Sequence, residues 1–163
     1  MTFAPRTWVV GEVVSAAIMN QEIRDQFNSM FDAWTTYTPT WTATTNPGLG
    51  NGIMTGRYLK VGRKCVVVVR LEMGSTTTYG SGGYNFGLPF AAAGGADYLG
   101  TARLVSAAAW NGQTVLSGGN SAFNCTFPAA TADSRSATMS GTIPSTLAAG
   151  HILRAQIEYQ TAS

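Results

Sequence analysis

The chain has 163 residues, of which 45% are hydrophobic and 11% are charged, and its formal net charge is +2. This length fits one domain with an appendage, and four tryptophans in a chain of such low charge indicate an ordered protein. The small net charge, with basic residues scattered along the chain, argues against nucleic-acid binding, and the lack of a long apolar run argues against membrane insertion.

Residues 1–35 are predicted to form an N-terminal arm for trimerisation or attachment. Gly11 and Glu12 interrupt its apolar start, so a signal peptide is not expected. Ser15 is a suitable helix N-cap, and the absence of proline and glycine from residues 16–34 predicts one amphipathic α-helix of about five turns. The predicted seam of this helix, apolar except for one asparagine, consists of Ala16, Asn20, Ile23, Phe27, Met30 and Trp34.

Two arrangements of this helix fit the pattern. It packs across the sheet of its own domain, or it pairs with copies of itself around a symmetry axis. A polar residue at a seam position, here Asn20, sets register and oligomeric state in coiled coils, which favours self-association.

The remainder, residues 36–163, is predicted to be mainly β. Short Thr-rich or alternating segments separated by glycine and proline indicate a jelly-roll-like antiparallel β-sandwich. "VGRK" at 61–64 predicts a tight hairpin turn, with Gly62 able to adopt a positive φ. The predicted strands are Tyr37–Ala43, Ile53–Val61, Cys65–Met73, Gly83–Leu88, Tyr98–Ala108, Thr114–Leu116, Ala122–Phe127, Ser136–Ile143 and Ile152–Gln160.

The run "CVVVV" at residues 65–69 does not alternate apolar and polar side chains, which predicts a strand buried on both faces. One face can pack into the sandwich. The other needs a cover, which is the helix, an N-terminal strand or the same face of a neighbouring subunit. Either Val67 with Val69 or Val66 with Val68 should face a partner, and we take Val66 and Val68 as candidate interface residues.

The stretch from Leu104 to Ala132 contains no Lys, Arg, Asp or Glu. A monomer would expose much of this stretch at a cost in solubility, whereas an oligomer would bury it between copies. A closed three-fold assembly would cover this stretch and the second face of the valine run together.

No catalytic or metal site is indicated. The single histidine, His151, lies at the start of a predicted strand and is best interpreted as a turn residue. Glu72 lies in mid-strand on the same face as Arg70, which predicts an ion pair. A glycosidase pair of Glu72 with Glu158 or Asp133 is conceivable, but nothing in the sequence brings those carboxylates together. We therefore expect no enzyme, no metal and no cofactor.

The two cysteines identify neither a cellular compartment nor a zinc site. Cys65 belongs to the valine run, and Cys125 alternates with Phe123 and Phe127 and so should point inward. Two buried thiols are expected, and the sequence leaves a disulfide between them open.

Three aromatic residues are candidate glycan-binding residues, because aromatic rings on β-sandwich loops stack on sugars. Trp110 lies at an apparent turn, and Tyr79 and Tyr84 lie in a Thr- and Gly-rich loop. The alternative is that these rings anchor loops or subunit contacts.

Several segments resemble small β-rich virion proteins of tailed bacteriophages. The arm sequence "RTWVVGEVVSAAIMNQEIRDQFNSMFDAW" is similar to an N-terminal segment of these proteins. "YTPTW", "GNGIMTGRYLKVGRKCVVVV" and "GSGGYNFGLPF" are similar to the β-rich module that follows it in tail-fibre and minor tail proteins. The resemblance covers residues 6–90 and implies a homotrimer on the outside of the particle, with the helices near the three-fold axis.

Residues and resemblance together predict a non-enzymatic structural protein on the surface of a tailed-phage virion, made in the host cytoplasm. A tail-fibre or minor tail position that contacts the host is favoured over capsid decoration, which would stabilise the head. The alternative of another class is a carbohydrate-binding module. The expected partners are copies of the chain, other virion proteins and a host cell-surface glycan, without nucleic acid or membrane insertion.

Overall fold

The computed structural model describes residues 7–130 and 133–162, and the fold is mainly β with one short helical segment at the N-terminal side. The helical segment, called the arm helix below, comprises α1 (Ala16–Met19), a π-helical turn (Asn20–Arg24) and α2 (Asp25–Ser29). The strands are β1 (Thr35–Tyr37), β2 (Trp41–Thr42), β3 (Ile53–Val61), β4 (Lys64–Glu72), β5 (Asn85–Gly87), β6 (Tyr98–Val105), β7 (Ala109–Leu116), β8 (Ala122–Ala130), β9 (Asp133–Thr138) and β10 (Ile152–Gln160).

The predicted helix starts where expected but is shorter and less regular. The Oγ of Ser15 accepts a hydrogen bond from the backbone N–H of Ile18 over 3.3 Å, so the predicted N-cap is confirmed. The prediction of an unbroken α-helix to Trp34 is wrong, because the π turn interrupts it and α2 ends at Ser29. Trp34 instead precedes β1, where the β-branched Thr35 and its neighbour favour strand.

All ten strands belong to one curled antiparallel sheet, in the order β1-β3-β4-β10-β6-β7-β8-β5-β2, with β9 beside β8. The two ends of this order, β1 and β2, follow one another in the chain and are separated by residues 38–40. Because so short a connection joins them, the sheet must curl until its ends approach each other. The predicted mainly β antiparallel fold is confirmed, and the curled sheet is compatible with a β-sandwich.

The core lies inside the curl, where alternate side chains of neighbouring strands meet. Aromatic rings pack within it: Trp41 and Tyr84 are edge to face with centroids 5.1 Å apart, and Phe86 and Phe123 are 5.6 Å apart. The largest fully buried side chains are Tyr84, Phe86, Phe123, Phe127, Leu71, Met73, Leu104, Leu116, Met139, Leu153, Ile157 and Val67.

The valine run alternates in the structure, so the expectation of burial on both faces is wrong. Val67 and Val69 are fully buried toward the core, while Val66 and Val68 point to the outer face and are half-buried. On that outer face Val68 is paired in register with Arg57 of β3 and Gln156 of β10. Long neighbouring side chains thus flank the outer valines, and this partial cover explains why a one-sided strand tolerates apolar residues on both faces.

Two turns account for one confirmed and one corrected strand boundary. Gly62 has φ +58° in the two-residue turn between β3 and β4, which confirms the predicted hairpin. The strand predicted to run to Ala108 ends at Val105. A tight turn follows, in which the backbone N–H of Ser106 donates a hydrogen bond to the carbonyl oxygen of Ala108 over 2.8 Å. Chain direction therefore reverses earlier than predicted, and β7 begins at Ala109.

Candidate functional site

Exposed apolar side chains are concentrated in the N-terminal arm. Outside the arm, the large exposed hydrophobic residues of the described chain are Ile53 and Leu99. Within it they are Trp8, Val9, Val10, Val13, Val14, Met19, Ile23, Phe27, Met30 and Phe31. A surface this apolar is typical of a contact region rather than of a surface that stays in water.

The predicted seam residues on the arm helix are solvent-facing in the single chain. Ile23 is 41% exposed and Phe27 61%, and Met30, which directly follows the helix, is 51% exposed. Asn20 lies in the π turn and is exposed, and no residue of α1 or of the π turn is buried. Trp34 is half-buried and lies outside the helix. The single chain therefore leaves the apolar face of its arm helix uncovered, and the first of the two predicted arrangements is not the one observed.

The second predicted contact surface is the outer face of β4. Val66 and Val68 point outward, and Val67 and Val69 are excluded from any contact because their side chains are fully buried. The described residues place neither a helix nor a second sheet layer over this outer face. Of the two valine pairs, Val66 and Val68 are therefore the pair that faces outward.

The three candidate glycan-binding rings do not form an exposed stacking surface. The predicted turn position of Trp110 is wrong, because this residue lies in β7 opposite Leu104 and is half-buried against the core. Its indole N–H is buried and has no hydrogen-bond partner. Tyr84 is fully buried and donates a hydrogen bond to the carbonyl oxygen of Tyr79 over 2.7 Å. Burial raises the pKa of Tyr84 to about 12. Tyr79 itself is half-buried against the core.

The carboxylates considered for catalysis are held apart. The predicted ion pair between Arg70 and Glu72 is confirmed, with 2.6 Å between Nη2 and Oε2. Glu72 is paired in register with Ile152 at one end of β10, whereas Glu158 lies six residues further along that strand, which corresponds to about 20 Å. The side chain of Asp133 lies outside the described residues. Glu72 and Glu158 are therefore too far apart to act as the two carboxylates of a glycosidase.

Both cysteines are buried free thiols, so the disulfide that the sequence left open is not formed. Burial away from water raises the pKa of Cys65 and of Cys125. For Cys65, a hydrogen bond to Tyr159 and the positive charge of Lys60 partly oppose this effect. Thiols kept protonated in this way are poor nucleophiles and poor metal ligands.

The single histidine is engaged in a turn. The Nδ1 of His151 accepts a hydrogen bond from the backbone N–H of Ala148 over 3.3 Å, immediately before β10. Within residues 7–130 and 133–162, no group of three or more His, Cys, Asp and Glu side chains is arranged to hold a metal ion. Among the described helices, none combines the length and the apolar character needed to cross a membrane.

Comparison with known proteins gives one partial similarity. No protein-family model matches the chain, and no solved structure matches it. Over 63 residues the chain is 44% identical to the Mu-like prophage FluMu defective tail fiber protein of Haemophilus influenzae. The matched region is 38% of this chain but only 10% of that protein, so the chain corresponds to about a tenth of the relative's length. The chain is therefore similar to one part of a prophage tail fibre protein.

Proposed function

We propose that the protein is a non-enzymatic structural component of a phage tail, in a tail-fibre or minor tail position on the surface of the virion. One observation carries this proposal, which is the 44% identity over 63 residues to a prophage tail fibre protein. That similarity names a tail protein, and it favours the tail over a capsid-decoration role.

The proposed working form is a homotrimer held by the N-terminal arm. Ile23 and Phe27 on the arm helix and Met30 directly after it are exposed in the single chain, and burying them between copies would remove apolar surface from water. Asn20 on the same helix would fix the register of the contact, as polar residues do in short coiled coils. Val66, on the outer face of β4 and outside the groove discussed below, offers a second contact on the β-domain.

The proposed partners are copies of the chain and other virion proteins, with the host surface as the target of the assembled tail. The half-buried position of Trp110 and the buried position of Tyr84 do not support a glycan site built on those rings. A carbohydrate-binding role on those residues is therefore not part of the proposal.

Imaging intact particles tests the proposed location. Phage particles are incubated with an antibody raised against the full chain and examined by electron microscopy. Label at the tail is the expected result. Label on the head would replace the tail role with capsid decoration, and particles without any label would contradict a virion role.

Native mass spectrometry of the full chain tests the proposed assembly. The expected species has about three times the 17.1 kDa mass of one chain. A monomer at micromolar concentration would contradict the homotrimer and leave the tail location to be judged by the labelled particles.

A further inference from the structure

We propose that a groove on the outer face of β10, β6 and β7 binds an anionic saccharide, meaning a carbohydrate that carries carboxylate or phosphate groups. The site is built around Arg103 and Arg154 and is separate from the arm. It goes beyond the proposed function, because a structural tail component can assemble without any ligand at this place.

Strand register places three arginines side by side. Arg154 of β10 lies directly opposite Arg70 of β4 on one side and directly opposite Arg103 of β6 on the other. Asn111 of β7 follows as the partner of Arg103. Directly opposed residues in antiparallel strands have Cβ atoms about 5 Å apart, so the three guanidinium-bearing side chains start from adjacent points on one face.

The positive charge of this row is only partly compensated. Glu72 pairs with Arg70 at 2.6 Å, but within the part of the chain that the structure describes no carboxylate pairs with Arg103 or Arg154. Like charges directly opposite each other destabilise a sheet. Arg103 and Arg154 are both exposed, and an anion bound between their guanidinium groups would relieve this repulsion.

The surface beside these two arginines is concave and rich in hydrogen-bonding groups. The groove has a volume of about 520 Å³, which lies within the range of small-molecule sites. The side chains that line it and carry the argument are Val68, Thr101, Arg103, Asn111, Arg154 and Gln156.

The mixture of groups points to a charged sugar. A guanidinium fork matches the two oxygens of a carboxylate or phosphate. The amides of Asn111 and Gln156 and the hydroxyl of Thr101 both donate and accept, which suits the hydroxyl groups of a saccharide. In the described chain these amides and this hydroxyl make no side-chain hydrogen bond.

A second copy of the chain is the competing occupant, because the arm helix carries Glu22 and Asp25. The carboxylate of Asp25 is already paired with Arg24 at 2.8 Å. Docking the apolar face of the helix here would also press it against the polar side chains of Thr101 and Gln156, which would lose water without gaining partners. The observations therefore favour the saccharide.

Calorimetric titration of the full chain at physiological salt tests the proposal. The probes are hexamannuronate for carboxylate, mannose 6-phosphate for phosphate, and maltohexaose as the neutral control. At least one charged probe should bind and maltohexaose should not. Arg103→Gln and Arg154→Gln should each weaken that binding by about tenfold, the usual effect of losing a charge-assisted hydrogen bond.

Arg57→Gln is the matched control, because Arg57 is an exposed arginine on the same outer face that does not line the groove. It should change the affinity by less than about twofold. An equal loss in all three variants would show diffuse charge attraction and would overturn the site, as would the absence of binding to both charged probes.

The same samples are examined by native mass spectrometry and by thermal unfolding. The melting temperature of Arg154→Gln should not be lower than that of the unsubstituted protein, since the Arg154 side chain is exposed among like charges. If Arg154→Gln changes the mass of the assembly and leaves saccharide binding intact, the groove is a contact between copies and the inference is wrong. A trimer that binds no charged saccharide overturns this inference and leaves the proposed function standing.

Discussion

The hydroxyl of Tyr37 donates a hydrogen bond to the carbonyl oxygen of Gly87 over 3.2 Å and thereby links β1 to β5. In the sheet order β1 lies at one end and β5 lies next to β2 at the other end, so the bond crosses the place where the curled sheet meets itself. The backbone N–H of Gly87 also donates to the carbonyl oxygen of Thr40 over 2.9 Å. The ends of the sheet are therefore held by hydrogen bonds as well as by the short connection between β1 and β2.

Crowding this junction should destabilise the protein. A Cβ at Gly56 of β3 would collide with the ring of Tyr37 and would lie 2.8 Å from Cγ of Pro39. We expect Gly56→Ala to lower the free energy of unfolding in urea by about 1–3 kcal/mol, as overpacking does. Gly94→Ala is the control, because a Cβ there meets nothing within 4 Å. Equal effects of the two substitutions would mean that contact with Tyr37 is not the cause.

Charged substitutions on the arm should separate the subunits without unfolding them. Ile23→Asp with Phe27→Asp places carboxylates on the exposed apolar face, so native mass spectrometry should show the 17.1 kDa chain. Thermal unfolding of the β-domain should be unchanged, because Ile23 and Phe27 are both exposed in the single chain. Asn28→Asp adds one negative charge to an exposed position of the same helix and should leave the trimer intact. A trimer that survives the double substitution would exclude the arm as the contact.

The two faces of β4 should respond differently to the same substitution. Val67→Thr puts a hydroxyl into the fully buried core and should cost about 1–3 kcal/mol, because the new group lacks a partner. Val66→Thr changes the outer face and should alter the free energy of unfolding of the single chain by less than about 0.5 kcal/mol. Urea titration of both variants makes the comparison. Similar costs would contradict the alternation of this strand.

Alkaline pH should destabilise the fold through buried tyrosines. Burial raises the pKa of Tyr84 to about 12 from 10.0 and also raises the pKa values of Tyr37 and Tyr159. A raised pKa in the folded state means that the folded protein keeps the proton more tightly than the unfolded chain. The stabilising contribution is thus complete below pH 10 and is lost as the pH rises through about 12.

Melting temperatures between pH 8 and 12 test this dependence on protonation. In Tyr84→Phe the melting temperature should start lower, because the 2.7 Å hydrogen bond to Tyr79 is lost, and should then fall less steeply above pH 10 than in the unsubstituted protein. Parallel curves for the two proteins would exclude Tyr84 as a source of the pH dependence.

Local patterns in the sequence determined much of the fold. The bounds of β3 and β10 agree with the prediction residue for residue, and the Ser15 cap and the Gly62 turn are as expected. The Arg70–Glu72 ion pair was also predictable, since residues two apart in a strand share a face. Each of these features depends on residues close together in the chain, and such residues act in the same way whatever the rest of the chain does.

Only the tertiary structure decided which surfaces are available. The sequence could not tell that Val66 and Val68 are the outer pair, or that an early turn would place Trp110 inside a strand. Residues 70, 103 and 154 form one row because β10 pairs with both β4 and β6. Pairings between strands so distant in sequence depend on how the whole sheet curls around its core, and no local pattern of residues records them.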